Sequence, residues 1–597
     1  MKWRSELKNP SKEYRAIPFW SLNDRLDPDE LRWQIDEMKK AGLGGYFMHA
    51  RSGLKTPYME EEWMQAIHAC IEEGKKEDIA PWLYDEDGWP SGFAGGVIPS
   101  MGVEYQQKWL ECREVTKDQI HKTDQTLGFY FIHEQRGSVT PVKDGMKTVN
   151  NESEGKFLHI YWEVNPYYID TLDKKVIKVF IQSTHEAYKE RFGEEFGKAV
   201  PGIFTDEPQY RGYTGPWSFI IPDEFLKEHK YDLLQELPAL FYDVGDFHAV
   251  RYDFWKTVNR LFTTAFSQQI SEWCEQNHLI HTGHVVSEDS LIAQLVNTGG
   301  AMPFYQYMQL PGIDWLCRWI GNPLAPKQLA SVAHQLGKKH TLSETFGCSG
   351  WNISFEELKW IAEWQYVLGV NLMCQHLQWY SMKGLRKRDY PPSLYYQQPW
   401  WQDYRLFNDY FARLGVLLSE GKHRADILVL HPMRSAWASY KPGANEEIHE
   451  MDRRLAEIST WLLEMHMDFD YGDEEILERH GKVEGNSIVV GKARYRLVII
   501  PPSLSLDENT IELLDQFSAC GGIVISAGKF PALCQGRKDE RLEHLRSNAV
   551  SVALEKEALR SMLRSVMHAE VMITDVSGED AGTVYYQQRD MGEGQRV

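Results

Sequence analysis

The sequence predicts an α/β protein: a (β/α)8 TIM barrel with a β-rich insertion, followed by a smaller flavodoxin-like (amidotransferase-like) α/β unit. Three observations predict it. From about residue 16 to 420, short apolar or aromatic runs alternate with amphipathic helical patterns, the signature of βα units around a parallel sheet. Eight such runs occur, and eight βα units close into a barrel. Beyond about residue 425 the alternation resumes with continuous apolar runs that stop at Pro501-Pro502 or follow Gly521-Gly522, as in an open, doubly wound sheet. The 597 residues suffice for both units, since a barrel absorbs about 250 residues and about 150 is usual for one domain.

The first unit is the clearest. Residues 16–22 read as a strand, Asn23-Asp24 as its loop, and Asp27-Pro28 as an N-cap with Pro at the first helical position, opening a helix through Leu31, Ile35 and Met38 to Gly42. Residues 45–49 form the second strand, 60–76 a helix and 79–84 the third strand. Between about 97 and 165 the pattern breaks into short alternating segments such as 129–133 and 157–163, which predict a β-rich insertion. A helix over 176–192 restores the rhythm, and 202–205 makes strand four. Strands five to eight are expected at 279–286, 304–308, 340–344 and 370–377. In the second unit, 427–431, 495–500 and 523–526 read as strands, and 458–465 and 508–517 as helices. The expected domains are therefore 1–420, 421–575, and a last piece over 576–597. There 583–589 alternates like the first strand of a truncated or missing β domain.

Composition narrows the function. Apolar residues make up 43% and charged residues 25%, the balance of an ordinary globular protein. The net charge of −21 works against binding a polyanion, so nucleic acid is not an expected partner. With no run of 18 apolar residues and no signal-peptide pattern at the N-terminus, no membrane is expected, and the chain reads as soluble and cytoplasmic. Eight scattered Cys without CxxC spacing read as reduced and structural, and no His spacing suits zinc. The 21 Trp, 29 Tyr and 25 Phe would suit sugar rings, although composition alone favours a large aromatic core.

A parallel barrel places its active site at the C-terminal ends of its strands, so the polar residues there are the ones to weigh. They are His49 after strand two, Asp85, Glu86 and Asp87 after strand three, Asp206-Glu207 after four, His284 and Glu288 after five, Glu344 after seven, and Gln375 and His376 on eight, ahead of Trp379-Tyr380. A buried carboxylate is costly unless it is hydrogen-bonded or put to use. Cleavage of a glycosidic bond commonly needs two carboxyl groups across the anomeric carbon, one protonated to assist the leaving oxygen and one ionised as nucleophile or base. Glu207 and Glu344, from opposite sides of an eight-stranded barrel, meet that need, and Asp206 with nearby aromatics could raise the pKa of the acid. His49 and His376 read either as sugar-hydroxyl ligands or as core histidines. Trp379 reads as a sugar platform or as packing.

The runs Pro18-Phe19-Trp20-Ser21-Leu22-Asn23, Asp27-Pro28-Asp29-Glu30-Leu31 with Gly42-Leu43-Gly44-Gly45, and Asp85-Glu86-Asp87-Gly88-Trp89-Pro90-Ser91-Gly92 resemble the α-L-rhamnosidases of glycoside hydrolase family 106. The stretch Tyr495-Arg496-Leu497-Val498-Ile499-Ile500-Pro501 with Gly521-Gly522 resembles the amidotransferase-like domain that follows the barrel in family 42 β-galactosidases, where it helps assemble trimers. These resemblances imply a glycoside hydrolase acting on an oligosaccharide or glycoside, with Glu207 as general acid and Glu344 as nucleophile or base. His49, Asp85, Asp87, Trp89, Asp206, Glu288, Gln375, His376 and Trp379 would bind substrate. Rhamnosidases of the first family are inverting and calcium-assisted, which makes Ca2+ the implied cofactor without naming its ligands; the second family implies a homo-oligomer. In barrels of the β-galactosidase type an Asn precedes the acid Glu, and here Asp206 stands in its place, which sets the retaining assignment against the inverting one. The alternatives are a β-galactosidase-like retaining enzyme and an inactive carbohydrate-binding protein.

Overall fold

The computed structural model describes residues 2–133, 137–142, 155–567, 571–592 and 594–597. Eight parallel strands form the first sheet: β1 Phe19–Leu22, β2 Gly45–Ala50, β3 Ala80–Tyr84, β4 Gly202–Asp206, β5 Ile280–His284, β6 Leu310–Trp315, β7 Leu342–Thr345 and β8 Leu372–Gln375. They are hydrogen-bonded in chain order, and helices cover the outside, as in a TIM barrel. The ring closes in two steps. Met373 of β8 accepts from the amide of Ile17 at 2.8 Å, and, past the cis bond His376–Leu377, Gln378 and Trp379 pair with Trp20 and Ser21 of β1.

Local chemistry sets the first unit as the sequence suggests. Asp27 accepts from the amides of Asp29 and Glu30 at 2.9 and 3.2 Å, Pro28 occupies the first position of helix Pro28–Lys40, and Lys39 and Lys40 lie in its last turn, where the helix dipole favours cations. Such a cap contributes about 1 kcal/mol. The helix buries Leu31, Ile35 and Met38 against the barrel.

Three expectations need correction. Residues 304–308 are not strand six: Met302–Tyr305 is a short helix with Pro303 at its start, and β6 is Leu310–Trp315. Pro311 and Gly312 inside β6 argued against a strand, yet they fit here because β5 and β6 approach closely. A Cβ on Gly312 would lie 2.6 Å from the Gly283 carbonyl oxygen. The predicted helix 176–192 is two helices, Lys174–Ser183 and His185–Phe192, broken at Thr184, whose hydroxyl bonds back to the Phe180 carbonyl. Residues 583–588 form no strand; the short strand is Arg589–Gly592, antiparallel to Lys422–His423.

Strands do fill the predicted insertion. Gln106–Val115, Thr126–His133, Ser138–Pro141 and Gly155–Ile169 form an antiparallel sheet, and Pro216–Trp217 from the loop after β4 adds to its edge. Residues 134–136 and 143–154 of the predicted insertion lie outside the described residues.

Past the barrel, β9 Ile427–Leu430, β10 Phe469–Gly472, β11 Leu497–Ile500, β12 Ile523–Ala527 and β13 Val550–Val552 make a second parallel sheet in the order β10-β9-β11-β12-β13. That order, 2-1-3-4-5, is flavodoxin-like. A buried polar junction joins the two sheets' layers. Lys327 on a barrel helix pairs with Asp468 at 2.7 Å, His423 reaches Asp468 at 2.7 Å, His334 reaches Asp470 at 2.9 Å, and the Tyr495 hydroxyl donates to Asp470 at 2.8 Å. Among the described residues no helix is long and apolar enough to cross a membrane.

Candidate active site

Side chains on a strand point alternately inward and outward, and this period of two assembles the site. The lower interior of the barrel is apolar and aromatic: Phe19, Phe47, Trp82, Phe204, Leu310, Leu342, Leu372 and Cys374 pack together. Two residues further along the strands the inward positions become His49, Tyr84, Asp206, His284, Glu344 and, past the end of β8, His376; on β6, Gly312 is followed inward by Asp314. Register aligns Asp206 with His284 and Asp314 with Glu344. The result is a polar layer on an apolar floor at the C-terminal mouth.

His284 is its centre. Its Nε2 lies 3.2 Å from Asp206 Oδ1 and 3.6 Å from Glu344 Oε2. Burial opposes its charge, yet Asp206, Glu344 and Asp314 together carry its pKa well above the usual histidine value. The Tyr84 hydroxyl donates to the other oxygen of Asp206 at 2.7 Å. Glu207, at φ 47° just past β4, closes the layer: donor atoms of Glu207, His284 and Asp314 fall within 4.8 Å of one another, as do those of Asp206, His284 and Glu344.

Crowding of carboxyl groups in a dry site forces protons onto some of them. Burial, then the charges of Asp314 and Asp206, push Glu207 up to about 8. Burial first and Asp206 next push Asp314 up to about 6, against the pull of His284. Burial and Asp314 raise Glu344 well above the carboxylate range. At neutral pH Glu207 therefore keeps its proton, held among groups that compete for charge. Burial and the Arg51 charge hold His49 and His376 far below the usual value, so both are neutral. Glu344 Oε2, Asp314 Oδ1, His49 Nδ1 and His376 Nδ1 are buried without a hydrogen-bond partner, an unusual concentration in one layer. A Cβ on Gly347 would stand 2.7 Å from His376 Nδ1, so this position needs glycine for the ring to lie there.

The other predicted site residues fall into two groups. Glu288 is buried behind the layer, its carboxyl bonded to the Tyr305 hydroxyl at 3.2 Å and raised well above its usual range by burial, with Asp314 and Glu207 adding to the rise. Trp89 is partly exposed at the rim, with the Arg51 guanidinium 4.2 Å over its ring; Arg51 also bonds His49 Nε2 at 2.9 Å and Asp389 at 2.8 and 3.0 Å. The remaining residues are not brought into the layer. Asp85 is bonded by Ser91 and Thr205, each at 2.6 Å, and ties the loop after β3 to β4. Asp87 is half-buried beside it and bridges to Ala50. Gln375 points outward and donates to Asn408 at 2.8 Å, and Trp379 is fully buried in the interior cluster, its ring 5.3 Å from Trp351. Glu86 accepts from four backbone amides, those of Asp87, Gly92, Ala94 and Gly95, at 2.7 to 3.0 Å, and so holds the Trp89-Pro90-Ser91 loop.

Sequence reading missed Asp314, Arg51, Tyr84 and Asp389. Asp314 was hidden by the misplaced sixth strand; the run Gly312-Ile313-Asp314-Trp315, an acid at the end of an apolar stretch, was the available signal.

Calcium takes six to eight oxygen ligands. Among the described residues, every mouth group of three converging side chains includes His284 Nε2, a nitrogen that its neighbours hold protonated. These side chains do not form an all-oxygen cage for calcium.

Comparison with known proteins bears on the family and the fold. The sequence profile of the alpha-L-rhamnosidase family, glycoside hydrolase family 106, matches residues 162–595. A candidate beta-glucuronidase from Formosa agariphila is 23% identical over 279 residues, which is 44% of this chain and 22% of that protein. The chain thus spans about a fifth of the length of this relative. The rhamnosidase of Novosphingobium sp. PP1Y superposes on 99% of this chain and 77% of its own, with a TM-score of 0.73 at 14% identity. A family 42 beta-galactosidase from G. stearothermophilus covers 88% of this chain and 74% of its own, with a TM-score of 0.56 at 13% identity. At these identities the structural likeness speaks for the fold.

Proposed function

The chain belongs to glycoside hydrolase family 106, the alpha-L-rhamnosidase family, and from that premise we propose that it hydrolyses an O-glycosidic bond of an α-L-rhamnoside at the barrel mouth. The single observation that carries this reading is the convergence of Asp206, Glu207, Asp314 and Glu344 around His284 in one buried layer. Glu207, protonated at neutral pH, is the general acid that hands its proton to the leaving oxygen. Glu344 or its register partner Asp314 is the base that takes a proton from the attacking water. His284, charged, opposes the burial that raises both carboxyls and so favours the ionised form of whichever of the two serves as base. The unpartnered oxygens of Glu344 and Asp314 and the free nitrogens of His49 and His376 are matched to sugar hydroxyls. Arg51, fixed by Asp389 and lying over Trp89, shapes the rim.

Four acids in so small a space also suit a retaining β-galactosidase-like reaction, but the Asp206–Tyr84–His284 contacts leave Asp206 committed, without the amide donor that such a site places before its acid. All eight cysteines are free, which supports a reducing, cytoplasmic setting.

The test is a panel of aryl glycosides that includes α-L-rhamnoside and β-D-galactoside, assayed with the protein and with Glu207→Gln. Release from the rhamnoside should fall by about 10²–10⁴-fold in the variant, as loss of a general acid does. Activity of the parent should decline as pH rises through about 8, where Glu207 loses its proton. Rhamnoside turnover that survives the substitution within about threefold would exclude Glu207 from that role.

A further inference from the structure

At the opposite, N-terminal end of the barrel, a crevice of about 780 Å³ opens between the barrel and the second sheet. Its volume is in the range of small-molecule sites. Its walls are strongly basic although the chain as a whole carries −21. Most of the acids in those walls are already used: Glu420 pairs with Lys339 at 3.1 Å, Asp426 with Arg496 at 2.6 Å, and Asp470 with His334 at 2.9 Å. What remains is Asp590 against Lys338, Lys422, Lys492 and Arg589, none of which has a carboxylate partner among the described residues.

Two of these cations are unusual. Arg589 is only 7% exposed and is held by carbonyl oxygens alone, its Nε donating to Glu420 at 2.7 Å and one terminal nitrogen to Gly421 at 3.4 Å. Lys338 donates to the Met308 carbonyl. Burial lowers Arg589 to about 10, with only the Glu420 charge pulling the other way, and lowers Lys338 to about 8, the mark of positive charge taken out of water. Lys422 and Lys492 are exposed at the edge, with no side-chain hydrogen bond among the described residues.

We propose that this crevice is a binding site for a small oxyanion carrying two or more negative charges, seated against Arg589 and Lys338 and gripped at the edge by Lys422 and Lys492. A neutral sugar would gain nothing from four cations, and a macromolecular polyanion would meet the net negative charge of the rest of the surface. Phosphate-type and polycarboxylate ligands share this chemistry. The site is separate from the mouth and does not rest on the hydrolase reading.

Isothermal titration of the full chain with inorganic pyrophosphate and with citrate, at constant ionic strength set by sodium chloride, tests it. Saturable one-to-one binding is expected; pyrophosphate alone, citrate alone or both would support the site and name its source. Lys422→Glu with Lys492→Glu should weaken binding at least about tenfold, since each reversal removes an edge cation and adds a charge that repels the anion. The double Lys→Met variant should show an intermediate loss, and unchanged far-UV circular dichroism shows that the variants fold. No saturable heat with either anion, or equal affinity in the Lys→Glu variant, would overturn the proposal.

Discussion

The barrel mouth and the junction with the second sheet hold similar residues in opposite states. Both are buried, both gather aspartates around histidines, and both bring three potential ligand atoms within 4.8 Å. At the junction each acid has a committed partner: Lys327 and His423 for Asp468, His334 and Tyr495 for Asp470. Although burial opposes it, Lys327 and His423 draw Asp468 below the usual aspartate value, and His334, with His423 and Lys327 adding, draws Asp470 to about 2. At the mouth carboxyls outnumber cations, and burial pushes Glu207 and Asp314 up instead. Composition of a cluster therefore does not reveal its task. The ratio of charge to counter-charge does, because a satisfied network stabilises one arrangement while an unsatisfied one stores reactivity for a substrate.

The largest effect that could break this contrast is catalytic. Glu344→Gln and Asp314→Asn should each lower turnover on the rhamnoside by about 10²-fold or more, while the thermal midpoint holds or rises, because each removes repulsion from a crowded layer. A variant that loses activity together with its fold would place the mouth in the same class as the junction.

Next is Lys327→Met. It leaves Asp468 buried with His423 as its one remaining side-chain partner beside the Phe469 amide, and unpairing a buried ion costs about 3–5 kcal/mol. Urea denaturation should show that loss, with turnover per folded molecule unchanged.

The smallest effect is in pH dependence, and the two regions have opposite signs. Glu207 has a folded value of about 8, above its unfolded one, so its stability contribution is full below about pH 4 and is lost as pH rises through about 8. Asp470 has a folded value of about 2, below its unfolded one, so its contribution is full above about pH 4 and is lost as pH falls through about 2. Calorimetry should show Glu207→Gln flattening the slope between pH 5 and 8 by up to about 1.4 kcal/mol per pH unit, leaving the acid limb intact. An acid limb that moves with position 207 would merge the two regions.

The same contrast separates what was legible in the sequence. Strand and helix periodicity placed seven of the eight barrel strands, and it brought Asp206, Glu207, His284 and Glu344 to one end, because inward positions follow from a period of two. It failed at β6, where a tight approach to β5 tolerates Pro311 and Gly312 and so hides Asp314. Gln375, Asp85 and Trp379 sit at the expected strand ends yet point to helices, loops or the floor. The direction of a side chain just past a strand depends on how the chain turns there, and that turn is set by tertiary contacts. Arg51 and Asp389 lie 338 positions apart, so no local pattern could have joined them.

The loop around Glu86 has a bearing on how relatives of this protein are recognised. Gly88-Trp89-Pro90-Ser91-Gly92 is the most distinctive run in the chain, and four amides wrapped on one carboxylate fix its path. None of the proton-transfer groups proposed for the mouth lies in it. A homologue that keeps this run therefore advertises a correctly built rim, and a lineage could abandon hydrolysis while its most recognisable signature persisted. Activity across such relatives is better judged at the positions equivalent to 207, 314 and 344 than by the presence of this run.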